Sequence, residues 1–134
     1  MEKLATAHKA LESLEAVLEE PASILVRDAT IQRFEYTSEA LWKAAREWLR
    51  QVELIEEYHP RGCYRALFRI GRIDETLAAA LLESVEDRNR TSHAYIEAVA
   101  IAVFERIPQH AANFRRLLES LETGADRRDA VPQA

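Results

Sequence analysis

The chain has 134 residues, 48% of them hydrophobic and 31% charged, with a formal net charge of −5. This length suits one domain with a real core, and three glycines and four prolines are too few for an all-β fold built on tight turns. The acidic balance argues against a general nucleic-acid coat while leaving room for a small basic site. All the cationic residues except Lys3, Lys9 and Lys43 are arginine, which suits ion-pair networks and phosphate recognition. Cys63 is the single cysteine, so no intrachain disulfide can form and a reducing compartment is expected. The start lacks a signal peptide's apolar region and no stretch reaches bilayer length, so we expect a cytoplasmic protein with no membrane partner.

Leu4, Ala7, Leu11, Leu14 and Leu18 recur at three and four residues, which predicts an amphipathic helix over 2–20. Pro21 ends it, and Ser23 is a fitting N-cap for a long second helix over 23–57. Its stripe runs through Ile31, Phe34, Ser38, Leu41, Trp42, Ala45, Trp48, Leu49, Val52 and Ile55; both tryptophans read as core. His59-Pro60 breaks the pattern. A short helix over 61–70 carries Cys63, Leu67 and Phe68 and stops at Gly71. Asp74 caps a fourth helix, 74–89. A fifth, 93–122, presents Ile96, Val99, Val103, Ile107, Phe114 and Leu121, and Pro108 should kink or divide it. Apolar periodicity stops at Thr123, which predicts a single domain over 2–122 and a disordered tail over 123–134. The expected fold is all-α: an antiparallel up-and-down bundle of about five helices with a four-helix core, dimerising through a leftover apolar face.

Between the fourth and fifth predicted helices stands Arg88-Asn89-Arg90-Thr91-Ser92-His93-Ala94-Tyr95. On an unbroken helix Arg88 and His93 would lie about 140° apart around the axis and share no target. Asn89, Thr91 and Ser92 favour helix boundaries, so the backbone is expected to bend between residues 89 and 92 and turn Arg88 and His93 toward one pocket. Such a pair is chemically adequate for metal-free RNA cleavage. The 2′-OH attacks the neighbouring phosphate, an imidazole moves the proton near neutral pH, and a guanidinium meets the phosphorane charge. Asn89, Arg90 and Ser92 are the candidate binding residues around the pair. A plain structural use of the same stretch competes with this reading. In it Arg88 pairs with Glu86 or Asp87, Thr91 or Ser92 caps a helix, and Tyr95 packs with its hydroxyl on the backbone.

The stretch Arg27-Asp28-Ala29-Thr30-Ile31-Gln32-Arg33-Phe34-Glu35-Tyr36-Thr37, followed by Glu39, Leu41, Trp42 and Lys43, is familiar when combined with the motif at 86–95. Together they resemble the nucleotidyltransferase substrate-binding protein family, a branch of the HEPN superfamily that also holds HepT-like toxins. The resemblance spans about residues 2–122. It implies a dimerising helical bundle and a separate minimal nucleotidyltransferase of the MntA type, joined in a toxin–antitoxin-like two-gene module. In HepT-like members the Arg-x4-His-x-Tyr pattern belongs to a metal-independent ribonuclease toxin, which the partner silences by adenylylating the tyrosine. Carried over, the resemblance implies Arg88 and His93 as the active-site pair and Tyr95 as the modified residue. An adenylyl group there would crowd the site and repel an RNA phosphate. Three functions stay open: a substrate-binding partner of the transferase, with RNA or a nucleotide as ligand; an active endoribonuclease; and a structural dimeric bundle.

Other candidates carry less. Arg27, Asp28, Gln32, Arg33, Glu35 and Glu39 form a polar band on the second helix, read as a solvated or ion-paired face. Arg61, Arg65, Arg69 and Arg72 make a basic stripe, read first as solvated and second as phosphate steering. His8, His59 and His110 are isolated in sequence. No His-Glu-x-x-His or Cys-x-x-Cys spacing and no Gly-rich phosphate loop occurs, so no metal or cofactor is expected. No Gly-Ser stretch leads to an Asp-x-Asp pair, so the chain is not itself the nucleotidyltransferase.

Overall fold

The computed structural model describes the backbone of residues 2–130 and the side chains of residues 2–123. Five helices follow in order: α1 (Glu2–Leu18), α2 (Ile24–Glu53), α3 (Pro60–Arg69), α4 (Glu75–Arg90) and α5 (Glu97–Ala130). A 3₁₀ turn over Thr91–His93 separates the last two. Among the described residues there is no strand, and no helix is long and apolar enough to cross a membrane.

Cross-helix bonds give the directions. Thr37 donates to the Ala10 carbonyl and Arg33 to that of Ser13, so α2 runs back along α1. Asp87 meets Arg106 while Asp74 meets Arg116, so α5 runs back along α4. Glu15 meets Arg115 and His8 meets Glu122, which sets α5 antiparallel to α1 and therefore parallel to α2. The four long helices thus form an up-and-down bundle, with α3 as a short bridge between α2 and α4. The apolar faces predicted from periodicity meet at its centre: Leu11, Phe34, Leu41, Trp48, Leu81, Phe114 and Leu117 are all completely buried. Cys63 is buried with a free thiol, which burial, and secondarily Glu57, pushes up to about 12. It is a core side chain and not a nucleophile.

Several boundaries differ from the expectation. Helix α1 ends at Leu18, two residues early. Helix α2 ends at Glu53, and residues 54–59 leave the helix, because Leu54 turns into the left-handed region at φ 58° and the Ile55 amide donates back to the Leu49 carbonyl. The capping residues are as expected: Ser23 accepts from the Val26 amide, Asp74 from the Leu77 amide, and Gly71 takes φ 78° after α3. Pro108 does not divide α5. It lies on the exposed face, so the Phe104 carbonyl it leaves without an amide partner is on the solvent side. Helical backbone also continues past residue 122, where helix was expected to end; residues 131–134 lie outside the described residues.

Candidate functional site

The site begins where α4 stops. Arg90 is the last helical residue, and the Thr91 hydroxyl donates to the Arg88 carbonyl at 2.6 Å while the Ser92 hydroxyl donates to that of Asn89 at 2.9 Å. These side chains satisfy carbonyls at the helix end and let the chain tighten into the 3₁₀ turn. The bend expected between residues 89 and 92 is therefore one turn of 3₁₀ geometry, and α5 starts at Glu97, four residues later than its predicted start.

Arg88 points back at α2. Its Nη1 donates to Thr91 Oγ1 at 3.1 Å and to Glu35 Oε2 at 3.4 Å, and its Nε lies 3.6 Å from Glu39 Oε1. The Thr91 hydroxyl closes the triangle at 3.1 Å from Glu35 Oε2. Glu35 and Glu39, read in the sequence as a polar band, are thus the carboxylates that hold the motif arginine. The Nη2 group of Arg88 makes no hydrogen bond among the described residues. His93 and Tyr95 stand on the turn itself. Tyr95 is 82% exposed, and its ring meets that of His93 edge-on at 6.1 Å between centroids. Neither residue has a hydrogen bond to Arg88 among the described residues. The structure therefore brings Arg88 and Asn89 together on one cleft between α2, α3 and α4, and His93 with Tyr95 on the exposed turn. Ser92 is exposed beside them.

Arg90 faces elsewhere, into a cluster that sequence reading did not find. Asp87, 1% exposed, accepts from Arg90 Nη1 at 2.8 Å, from Arg106 Nε and Nη2 at 2.8 and 2.7 Å, and from His110 Nε2 at 2.7 Å. Burial alone would push its carboxyl up. The bonds from Arg106, His110 and Arg90 outweigh burial and hold it well below the ordinary range. An ionised carboxylate only accepts, so His110 carries its proton on Nε2. The His110 ring stacks on Phe34 at 5.4 Å, which carries the clamp into the core. The available signal was the i,i+4 spacing of Arg106 and His110, which sets both on one face of α5. The basic stripe from Arg61 to Arg72 is partly engaged: Arg61 pairs with Glu86, and Arg72, past the end of α3, lies over Trp48 at 5.1 Å. No group of three or more His, Cys, Asp or Glu among the described residues is placed to hold a metal ion.

A bundle whose α4–α5 turn carries Arg-x4-His-x-Tyr can be set against known proteins. A family model described as nucleotidyltransferase substrate binding protein like matches residues 2–123. The chain belongs to this family. Among solved structures, this substrate-binding-protein-like chain is similar to a Thermus thermophilus protein at 40% identity, over 86% of this chain and 98% of that one, with a TM-score of 0.82. It shares its fold with a Haemophilus influenzae protein described as a substrate binding domain of a nucleotidyltransferase, at 24% identity over 89% and 98% of the two chains, TM-score 0.73. It also shares it with a tri-AMPylated Shewanella oneidensis HEPN toxin in complex with MNT antitoxin, at 21% identity over 91% and 95%, TM-score 0.74. No curated protein matches the chain.

Proposed function

We propose that this chain is the substrate-binding subunit of a two-component system, that a separate minimal nucleotidyltransferase is its partner, and that Tyr95 is the residue the partner adenylylates. The observation that carries this reading is the position of Tyr95: a phenol 82% exposed on a short turn, beside an exposed imidazole. Adenylyl transfer needs that access. The phenol oxygen attacks the α-phosphorus of ATP, its proton passes to a base, and the bond to pyrophosphate breaks. The Shewanella relative was captured as a modified toxin with its antitoxin, which supports the same pairing here. Exposed Ile24, Leu25, Ile96 and Ile101 supply apolar surface for a homodimer, the second assembly in this reading, which equilibrium sedimentation checks. The test of the modification is an intact-mass spectrum after coexpression with the transferase. Added mass in whole adenylyl units that disappears in Tyr95→Phe is the expected result. Unchanged mass, or addition that persists in Tyr95→Phe, overturns the reading.

A second reading, metal-independent endoribonuclease with Arg88 and His93 as the reacting pair, draws on the unengaged Nη2 of Arg88 and the exposure of His93. In this reading Arg88 meets the phosphate through Nη2 while Glu35 and Thr91 hold Nη1. Labelled RNA incubated with unmodified protein and with His93→Ala tests it: cleavage lost in the variant supports it, and no cleavage by the parent removes it.

A further inference from the structure

Between His59 and Ile73 the chain carries four arginines and no acidic residue, in a protein whose net charge is −5. The structure folds most of this stretch into α3 and turns its two chemistries apart. Cys63, Tyr64, Ala66 and Leu67 are buried in the bundle, while Arg65, Phe68 and Arg69 are exposed. Arg61 pairs with Glu86, but Arg65 and Arg69 have no ion pair or side-chain hydrogen bond among the described residues. Glu86 of α4 and Glu57 of the preceding segment approach the first turn of α3, at Arg61 and Gly62, and Arg69 lies two turns further on. Phe68 is 45% exposed, a ring presented to solvent beside Arg65 and Arg69. At its start the helix meets the motif: Pro60 and Tyr64 border the same cleft as Arg88 and Asn89.

We propose that the outer face of α3 is a track for single-stranded RNA leading to the motif, with Arg65 and Arg69 on successive phosphates and Phe68 stacked on a base. The proposal rests on the reading of Arg88 and His93 as an endoribonuclease pair. Spacing, chemistry and position select this occupant. Arg61, Arg65 and Arg69 recur at one-turn steps of about 6 Å along the axis, comparable with the separation of successive phosphates along one strand. A ring beside two guanidiniums matches the alternation of base and phosphate, and such a ring stacks on any unpaired base. A duplex keeps its base faces stacked inside and offers this face its phosphates alone. The track also begins where the motif stands, since Arg61 reaches Glu86 two residues before Arg88. An anionic lipid surface fits less well. An interfacial helix presents a broad apolar face outward, whereas α3 buries its apolar residues apart from Phe68, and only Ile70 beyond its end joins that ring outside.

The test is fluorescence anisotropy of labelled oligouridine with the unmodified protein over a series of salt concentrations. The Arg65→Gln, Arg69→Gln double variant is expected to bind about tenfold or more weaker at low salt. It is also expected to lower the slope of log affinity against log salt by about 1.4, the amount for two phosphates of a single strand. Phe68→Ala is expected to weaken binding about fivefold or more and to leave that slope unchanged. All three side chains are exposed, and melting curves check that the variants fold. Oligouridine bound equally by the parent and both variants, or bound by none of them, overturns the track. Binding to phosphatidylserine vesicles that depends on Arg65 and Arg69, with no binding of oligouridine, overturns it too and makes the face a lipid contact. Cleavage of the same RNA separates the two readings. Cleavage by the parent with binding unchanged in both variants sinks the track and keeps the endoribonuclease. Binding that depends on Arg65, Phe68 and Arg69 without any cleavage keeps the track and removes the endoribonuclease.

Discussion

A carboxylate as buried as Asp87 persists as an ion only when its lone pairs are filled, and four N–H···O bonds from Arg90, Arg106 and His110 fill them. Asp87 precedes Arg88 directly, so the clamp fixes the last turn of α4 from which the motif projects. Asp87→Asn removes the charge and keeps the shape. Breaking a buried pair from one side costs about 3–5 kcal/mol, and here the low end applies because Arg90 and Arg106 still reach water. The carboxyl is held below its unfolded value, so its contribution is complete above the unfolded pKa of about 3.9 and drains away as pH falls below it. Urea unfolding at pH 7 and pH 3 is expected to give a large gap between parent and variant at the higher pH and a narrower one at the lower. Equal gaps at the two would mean that the ionised carboxylate is not what holds the turn.

Helix α2 shows how local chemistry sets an element's end. Leu54 is 85% exposed and sits at φ 58°, a conformation that costs a residue with a Cβ about 1–2 kcal/mol and glycine nothing. Leu54→Gly relieves that strain, gives back part of it as unfolded-chain entropy, and is expected to stabilise the protein by about 0.5–1 kcal/mol, visible as a higher urea midpoint; a lower midpoint would show that leucine makes contacts there worth more than the strain. The same residue explains why residues 54–57, helical by periodicity, lie outside the helix. Periodicity through Val52 and Ile55 looked helical, and a left-handed leucine leaves no compositional mark, whereas Ser23, Asp74 and Gly71 announce their caps by residue type. The break after Arg90 was legible for that reason, since Thr91 and Ser92 are boundary residues whose hydroxyls bond the last carbonyls. The partners of Arg88 were not legible, because Glu35 and Glu39 lie more than forty residues upstream on another helix, and local spacing says nothing about which faces of a bundle meet.

The motif and the core form one mechanical unit. Phe34 of α2 is fully buried and stacks on His110 at 5.4 Å and on Phe114 at 5.9 Å. His110 in turn donates to Asp87, one residue before Arg88, and Glu35, one residue after Phe34, receives Arg88. A single turn of α2 therefore reaches the end of α4 by two routes, through the stack and through the ion pair. Residues sharing partners in this way couple by about 0.5–3 kcal/mol, while independent sites add within about 0.3–0.5 kcal/mol. Phe34→Leu leaves a smaller, unstacked side chain against the His110 ring, which then holds its bond to Asp87 less firmly. Once it is loosened, removing the Asp87 charge has less to destroy. The Phe34→Leu, Asp87→Asn double variant is expected to lose at least about 0.5 kcal/mol less stability than the sum of the single losses, measured by urea unfolding of all four proteins at pH 7. Losses that simply add would sever the stack from the clamp, and the position of the His93–Tyr95 turn would then depend on α4 and α5 alone.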